Sequence, residues 1–328
     1  MPVKIGLIGC GHMGRFHAAR LSENNNAKFV GCMDIVLEKA DKIASEYEIE
    51  KFDSVDSMLN RVDAVSIAVP TTEHLNVASR FLEKGISVLL EKPISYDIES
   101  AEKLVELAGL KNVVLQIGHS ERFNPAFLAV EKGISEPRFI ETHRLAPFKG
   151  RGDDVAVILD LMVHDLDLVL ALTKSFPEKI EAAGVAVITD SIDIVNSRLT
   201  FPEGCVANIT ASRISVKEMR KLRVFQKSGY TSIDMAKREA EQYAVVSTDD
   251  KDYKNAPVFS RFHLPDGRAV VRKSVEIPTG DNLTYEIESF IDAVQGKHPP
   301  VVSGRDGLSV LKVAGTIEEL CREYREKI

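Results

Sequence analysis

Three polar residues interrupt an otherwise apolar run in VILDLMVHDLDLVLAL, residues 157–172. Asp160, His164 and Asp167 are spaced four and then three apart, which puts them on one face of a helix. A helix that is apolar almost all round is a buried one, and carboxylates are costly to bury without partners. The stripe must therefore face a cavity, a partner or a metal. It can be a closed internal network. It can hold a divalent ion through two carboxylates and an imidazole, although no further His or Cys ligand lies nearby, so no metal is assigned. Or His164 takes a hydroxyl proton while Asp160 orients and charges the ring. The third chemistry makes Asp160 and His164 catalytic and places both against substrate. Asp165 falls off the stripe and reads as a surface or helix-edge charge.

A second candidate closes the apolar strand ISVLLEKP, residues 86–93. Pro93 cannot continue a ladder and biases Lys92 to an extended conformation, which fixes how the lysine leaves the strand. A Glu91–Lys92 ion pair would be unexceptional on a surface. At the mouth of a buried strand, a lysine ammonium can stabilise the alkoxide charge that develops as hydride leaves a carbinol carbon. Glu91 and Lys92 are thus expected to face a nicotinamide, with Lys92 the third catalytic residue.

A third is GCGHMG, residues 9–14, between a predicted strand and a predicted helix. The pattern alone is weak, but this context is what a dinucleotide site demands. Gly9 makes the tight turn, Gly11 admits a pyrophosphate, and Gly14 lets helix pack on strand. The N–H groups at His12, Met13 and Gly14 then open a helix whose positive end suits phosphate. Asp34 ends the next strand, twenty residues past Gly14. Its carboxylate would accept from ribose hydroxyls and repel a 2′-phosphate, so NAD is favoured over NADP. In VPTTEH, residues 69–74, Thr71 and Thr72 can cap a helix, touch the cofactor, or both. His74, one turn inside, joins the cofactor set.

These residues need a scaffold that gathers strand ends. Residues 3–120 alternate strands (3–9, 27–34, 63–70, 86–93, 113–120) with amphipathic helices (13–24, 36–47, 72–85, 97–111), the rhythm of βαβ units and a parallel sheet. Runs such as VSIAV fit a sheet covered on both faces. After residue 120 one helical stretch, 153–172, precedes hairpin-linked strands at 180–188, 193–201, 205–214, 221–227 and 269–277. The polar stretch 247–268 reads as a long loop. Two helices, 282–296 and 304–326, close the chain. The fold class is α/β: a doubly wound parallel Rossmann sheet over residues 1–120, then an α+β domain with a largely antiparallel open sheet over 121–328, for substrate binding and oligomerisation.

Glycine loop, P-x-x-x-H, EKP and GHSERFNP (118–125) occur in this order in the glucose–fructose oxidoreductase/inositol dehydrogenase family, which this chain resembles over essentially its whole length. The resemblance implies NAD(P)-dependent oxidation or reduction of sugars, cyclitols and related compounds, and dimers or tetramers. It also implies a D-x-x-x-H-x-x-D helix beside the EKP lysine, matched by Asp160, His164 and Asp167. Met162 stands where the family often has glycine, which should narrow the space near the helix. Arg122 and Asn124 are implied substrate or nicotinamide contacts, although a junction-stabilising ion pair suits Arg122 equally.

The form LDLMxHDxDL with SRxS…R resembles a subgroup acting on nucleotide-linked amino sugars. Arg144, Lys149 and Arg151 precede the helix, and Arg213, Lys217, Arg220, Lys221 and Arg223 follow in sequence. Positive charge gathered in a chain of net charge −7 suits an anionic substrate, and Arg144 and Arg151 are the substrate-binding candidates. Solvated strand faces and turns would account for the same cations. The expected partner is a small sugar or nucleotide-sugar. The negative net charge disfavours nucleic acid and anionic membrane, and no run of about 18 apolar residues offers a membrane span. Cys10, Cys32, Cys205 and Cys321 are scattered, as buried free thiols of a cytoplasmic protein would be. A half-buried second sheet invites burial on a copy of itself, as homodimer or homotetramer. A protein that merely senses NAD is the alternative of another class, but it has no need of the Lys92, Asp160 and His164 set.

Overall fold

A computed structural model describes residues 1–148, 156–257 and 261–326. The chain forms two compact units, one of Met1–Phe123 with Asp281–Lys312, the other of Asn124–Gly280 with residues from Val313 on. The return of the chain to the first unit at Asp281 has no counterpart in the two-segment division expected from the sequence.

The first unit holds a six-stranded parallel sheet in the order β3-β2-β1-β4-β5-β6. The strands are β1 Val3–Ile8, β2 Ala27–Met33, β3 Glu50–Lys51, β4 Ala64–Ile67, β5 Ser87–Glu91 and β6 Leu115–Gly118. Between them run α1 His12–Glu23, α2 Leu37–Tyr47, α3 Val55–Leu59, α4 His74–Glu83 and α5 Ile98–Lys111. The order reverses between β1 and β4, and a doubly wound sheet binds its ligand at the strand ends beside such a switch point. All residues of β4 and the first four of β5 are buried, as strands covered on both faces must be.

A late segment completes the cover of this sheet. Ile287, Phe290 and Ile291 of α9 (Asn282–Val294) pack with Val3, Ile5, Leu21, Ala64 and Leu89. Asp281 starts that helix by accepting from the Leu283 and Thr284 N–H groups, at 3.1 Å each, and pairs with Arg20 of α1 at 3.0 Å.

The second unit is built on a nine-stranded sheet, β14-β15-β13-β12-β11-β7-β10-β9-β8. Its strands are β7 Phe139–Leu145, β8 Lys179–Val185, β9 Ile194–Thr200, β10 Val206–Ser212, β11 Met219–Gln226, β12 Gly229–Asp234, β13 Glu239–Ser247, β14 Arg261–His263 and β15 Arg268–Lys273. Among the described residues only β7 and β10 pair in parallel, and the other neighbours are antiparallel. Short α6 (Pro125–Leu128) and the helix α7 (Val163–Thr173) belong here. The stretch 247–268 is not one long loop: it holds α8 (Lys251–Asn255) and β14. The expected helix over 153–172 starts later, on a π-helical turn Ile158–Met162 that runs into α7. Residues 153–155 lie outside the described residues. The last helix, α10, spans Gly304–Glu326.

Candidate active site

The glycine loop has the geometry its three glycines imply. Gly9 has φ +91°, in the region that favours glycine, and a Cβ there would lie 2.4 Å from the Ala68 carbonyl oxygen. A Cβ on Gly14 would lie 1.8 Å from the Gly9 carbonyl oxygen, so α1 seats on the loop only without a side chain there. Gly11 is different. A Cβ on it would meet nothing within 4 Å. It opens toward a cavity of about 750 Å³ at the carboxyl ends of β1, β2 and β4, which Gly9, Met13, Asp34 and Thr72 also line. No side chain caps the start of α1 and its first turn carries no acidic residue, so its N–H groups and positive end are available to an anion. The cradle fits a dinucleotide pyrophosphate.

Asp34 has a structural task as well. Its two carboxylate oxygens accept from the Cys10 and Val36 N–H groups, each at 2.7 Å, and so pin the glycine loop to the end of β2. Each oxygen keeps a second lone pair for a ribose hydroxyl. Thr71 and Thr72 form a 3₁₀ turn, Thr71–Glu73, and the Thr side chains cap neither it nor α4. Thr71 is half-buried and Thr72 exposed. The His12 ring turns edge-on to Phe16, with centroids 5.0 Å apart, and lines a separate hollow with Arg15 and Tyr47.

The EKP turn departs from the sequence expectation. The Glu91 carboxylate makes contacts inside the protein that its sequence position does not reveal. Oε1 lies 2.8 Å from Nε2 of the buried His17 on α1, whose Nδ1 lies 2.8 Å from Ser66 Oγ on β4. Burial pushes the Glu91 carboxyl up, but the His17 hydrogen bond and the electrostatics of His17 and Lys92 outweigh it and hold it below its ordinary value. An ionised Glu91 only accepts, so the proton between the two sits on His17 Nε2. Lys92 is half-buried, ahead of a cis peptide to Pro93.

His74 braces two loops. It is 1% exposed, with Nδ1 3.0 Å from the Pro93 carbonyl oxygen and Nε2 3.1 Å from that of Val69. The neutral ring stands between the loop after β4 and the EKP turn and can donate its one N–H to either carbonyl. Burial holds the imidazole below its ordinary pKa, against carbonyls that favour the charged form. Arg122, in the 3₁₀ turn Ser120–Phe123, is buried.

In the second unit, Asp160 lies on the π-helical turn and His164 on the first turn of α7; both are half-buried, while Asp167 is wholly buried. Asp165 is no surface charge. It is 3% exposed and receives a two-pronged contact from Arg144, Nε to Oδ2 at 2.9 Å and Nη2 to Oδ1 at 3.2 Å. This corrects Arg144 as well: the guanidinium, 4% exposed, is an internal partner of α7 and not a ligand waiting for an anionic substrate. Asn124 is another correction. It is 2% exposed, caps α6 by accepting from the Ala126 N–H at 3.1 Å, and donates to the Met235 carbonyl at 3.1 Å. Arg151, with Lys149, lies outside the described residues.

Four of the other gathered cations are also matched. Arg213 is buried against Asp193, Nε to Oδ1 at 2.8 Å, and also donates to Thr189 and Ser191. Arg220 pairs with Glu218 at 2.7 Å, Lys221 with Asp234 at 3.8 Å, and Arg223 with Glu141 at 3.0 Å. Sequence reasoning missed Asp193, whose Oδ2 accepts from three consecutive N–H groups, those of Val187, Ile188 and Thr189. It also missed His17 and Glu286, buried among polar neighbours of Glu91. The signal for His17 is a histidine on the inward face of α1, among Gly14, Ala18 and Leu21.

A switch-point cavity, a glycine cradle and a lysine at a neighbouring strand end define a nicotinamide dinucleotide-binding oxidoreductase. Residues 3–119 match the oxidoreductase family model with an NAD-binding Rossmann fold, and residues 134–231 match the GFO/IDH/MocA C-terminal domain. The chain is 37% identical over 313 residues to UDP-N-acetylglucosamine 3-dehydrogenase of Acidithiobacillus ferrooxidans, covering 95% of each chain. The solved structure of that enzyme superposes with a TM-score of 0.88 at 35% identity, over 99% of each chain. Inositol 2-dehydrogenase of Rhizobium meliloti is 27% identical, over 99% of each chain. The chain belongs to the GFO/IDH/MocA family of NAD-binding oxidoreductases.

The glycine loop sets one pair of outcomes. Gly11→Ala should fold with a melting temperature close to that of the parent and weaken NAD binding by about tenfold or more, because its methyl enters the phosphate cradle. Gly14→Ala should instead lose stability in urea, since its methyl overlaps the loop backbone. Asp193 sets another. Burial pushes its carboxyl up, but the Ile188 and Val187 N–H groups, the Arg213 guanidinium and the Thr189 N–H hold it far below its ordinary value. Its contribution is therefore complete above the unfolded-state pKa, roughly 4, and is lost as pH falls through the lower folded one. Asp193→Asn should cost about 3–5 kcal/mol at pH 7, with Arg213 left buried against an amide. Urea titrations from pH 7 down to 2 should show the variant lacking part of the parent's acid slope.

Proposed function

We propose that this oxidoreductase oxidises a secondary alcohol on the sugar ring of a nucleotide-linked amino sugar, UDP-N-acetylglucosamine or a close analogue, with NAD as hydride acceptor. What carries the reading is end-to-end similarity to a dehydrogenase of that substrate, well above the similarity to inositol dehydrogenases. The arginines do not carry it, because Arg144 and Arg213 are spent on internal carboxylates. Gly9, Gly11, Met13 and the start of α1 take the pyrophosphate, and Asp34 takes the adenosine ribose. NAD, when bound, supplies the acceptor for the hydride. His164 accepts the hydroxyl proton, Asp160 orients it, and the Lys92 ammonium stabilises the developing alkoxide.

Oxidation of inositol or a free sugar is the second reading, supported by the inositol 2-dehydrogenase relative. We place the protein in the cytoplasm, where its four buried free thiols are kept reduced. We further propose a homodimer or homotetramer that buries the open sheet of the second unit. One face of that sheet carries a row of half-buried rings on adjacent strands: Phe139, Phe225, Tyr230 and Tyr243, with successive centroids 5.9, 5.6 and 4.7 Å apart.

Purified protein with NAD and a panel of UDP-sugars, inositol and glucose decides the substrate. Growth of NADH absorbance with UDP-N-acetylglucosamine is expected; turnover of inositol or glucose and of no UDP-sugar would overturn the assignment. His164→Ala should bind NAD nearly as the parent does and turn over at least about a hundredfold more slowly. Parental turnover in that variant would reject His164 as the proton acceptor.

A further inference from the structure

Arg144 and Asp165 are buried beside the residue that the proposed reaction uses as its proton acceptor. Asp165 directly follows His164 on the first turn of α7. The guanidinium reaches both of its oxygens, Nε to Oδ2 at 2.9 Å and Nη2 to Oδ1 at 3.2 Å. Such a fork fixes an angle as well as a distance. Its base is firm, because β7 lies inside the second sheet. Arg144 stands opposite Ala211 of β10 on one side and Arg220 of β11 on the other. The start of the segment is tied separately, by the Val157 N–H to the Ile192 carbonyl at 3.1 Å. Between the two ties lies the π turn that carries Asp160. There the Val163 N–H reaches back five residues, to the Ile158 carbonyl, rather than four. A turn that leaves the i→i−4 ladder does not pass a fixed helical rotation on to the helix that follows.

We propose that Arg144 is a positioning residue for the reaction: its two-pronged hold on Asp165 sets the rotation of the first turn of α7, and with it the place of the His164 ring. This rests on the reading of His164 as the proton acceptor. Successive residues stand about 100° apart around a helix, so Asp165 can be held to the sheet while His164 is left on another side. A side chain that reaches about 6 Å from the axis moves by about 1 Å when the helix turns by about 10°. A misplacement of that size can cost about a hundredfold in rate. Lysine in place of Arg144 keeps the charge but makes a single-point contact, which no longer fixes an angle. A pair that only stabilises the fold predicts a lower melting temperature and an unchanged kcat in the folded variant.

Arg144→Lys is the test, studied at a temperature where the variant is fully folded. In crystal structures of variant and parent superposed on β7 and β10, the His164 ring should be displaced by about 1 Å or more. This readout is independent of which sugar is the substrate. With NAD and UDP-N-acetylglucosamine, kcat should fall about tenfold or more. Affinity for NAD, whose proposed ligands all lie in the first unit, should stay within about threefold of the parent. Asp165→Asn should lose a similar factor, and the double variant little more than either, since one fork is broken only once. In a His164→Ala background, Arg144→Lys should cost nothing further. A His164 ring in its parental place overturns the proposal, and so does parental kcat beside a slow His164→Ala. Losses that multiply with those of His164→Ala overturn it as well. Should Arg144→Lys not fold, Asp165→Asn carries the same readings, and an undisplaced ring or parental kcat there is equally decisive. Parental kcat in His164→Ala alone would instead remove the proton acceptor on which the proposal rests, a measurement that no Arg144 variant enters.

Discussion

An ionised side chain cannot be taken out of water without a partner, and this constraint sorts the polar residues of the chain. Three buried partnerships follow from it. Arg144 meets Asp165, Arg213 meets Asp193, and Glu91 meets His17. Residues that look like substrate ligands in the sequence thus turn out to hold the scaffold. Glu91 differs from the other two pairs because its pairing reaches the next residue in the chain. The other oxygen of that carboxylate takes the Lys92 backbone N–H, at 3.3 Å.

The dinucleotide end of the first unit obeys a different rule, that of close approach. Gly9 and Gly14 are required by contacts already present within the protein, while Gly11 is required by nothing inside it. Space that the fold leaves open at one glycine of three, beside uncapped helix N–H groups, is what a phosphate-binding cradle consists of. Asp34 belongs to both economies: its carboxylate fastens the loop through two backbone N–H groups and still borders the cavity.

Local rules made much of this legible in advance. Strand–helix alternation and the G-x-G-x-x-G context specify the parallel sheet and its loop, and hairpin spacing specifies the antiparallel sheet. The pairings were harder to see, because partners lie far apart in sequence and the cues are indirect. Arg144 shares its side of β7 with Ile140 and Thr142, so period-two alternation already marks it as inward; its charge drew the opposite reading. Asp165 lies off the polar stripe of a regular helix, whereas in the structure a π turn precedes it and an arginine on a neighbouring strand claims it. His74 resembled a ligand by type and place, and only the tertiary fold shows two backbone carbonyls flanking its ring. Glu286 is about 200 residues from Glu91, and no local pattern links them.

The re-entry of the chain at Asp281 bears on how this protein can be cut and recombined. The family model for the cofactor-binding part ends at residue 119, and a boundary there looks like a seam. Physically it is not one. Phe290, Ile287 and Ile291 lie on the sheet surface formed by Val3, Ile5 and Leu89, and Glu286 comes in with them to stand beside His17. A fragment ending near residue 120 would carry an apolar flank open to water and lose one of its buried carboxylates. A graft or swap that treats this half as a module must carry the α9 segment with it, so the transferable piece is discontinuous in the gene though continuous in space.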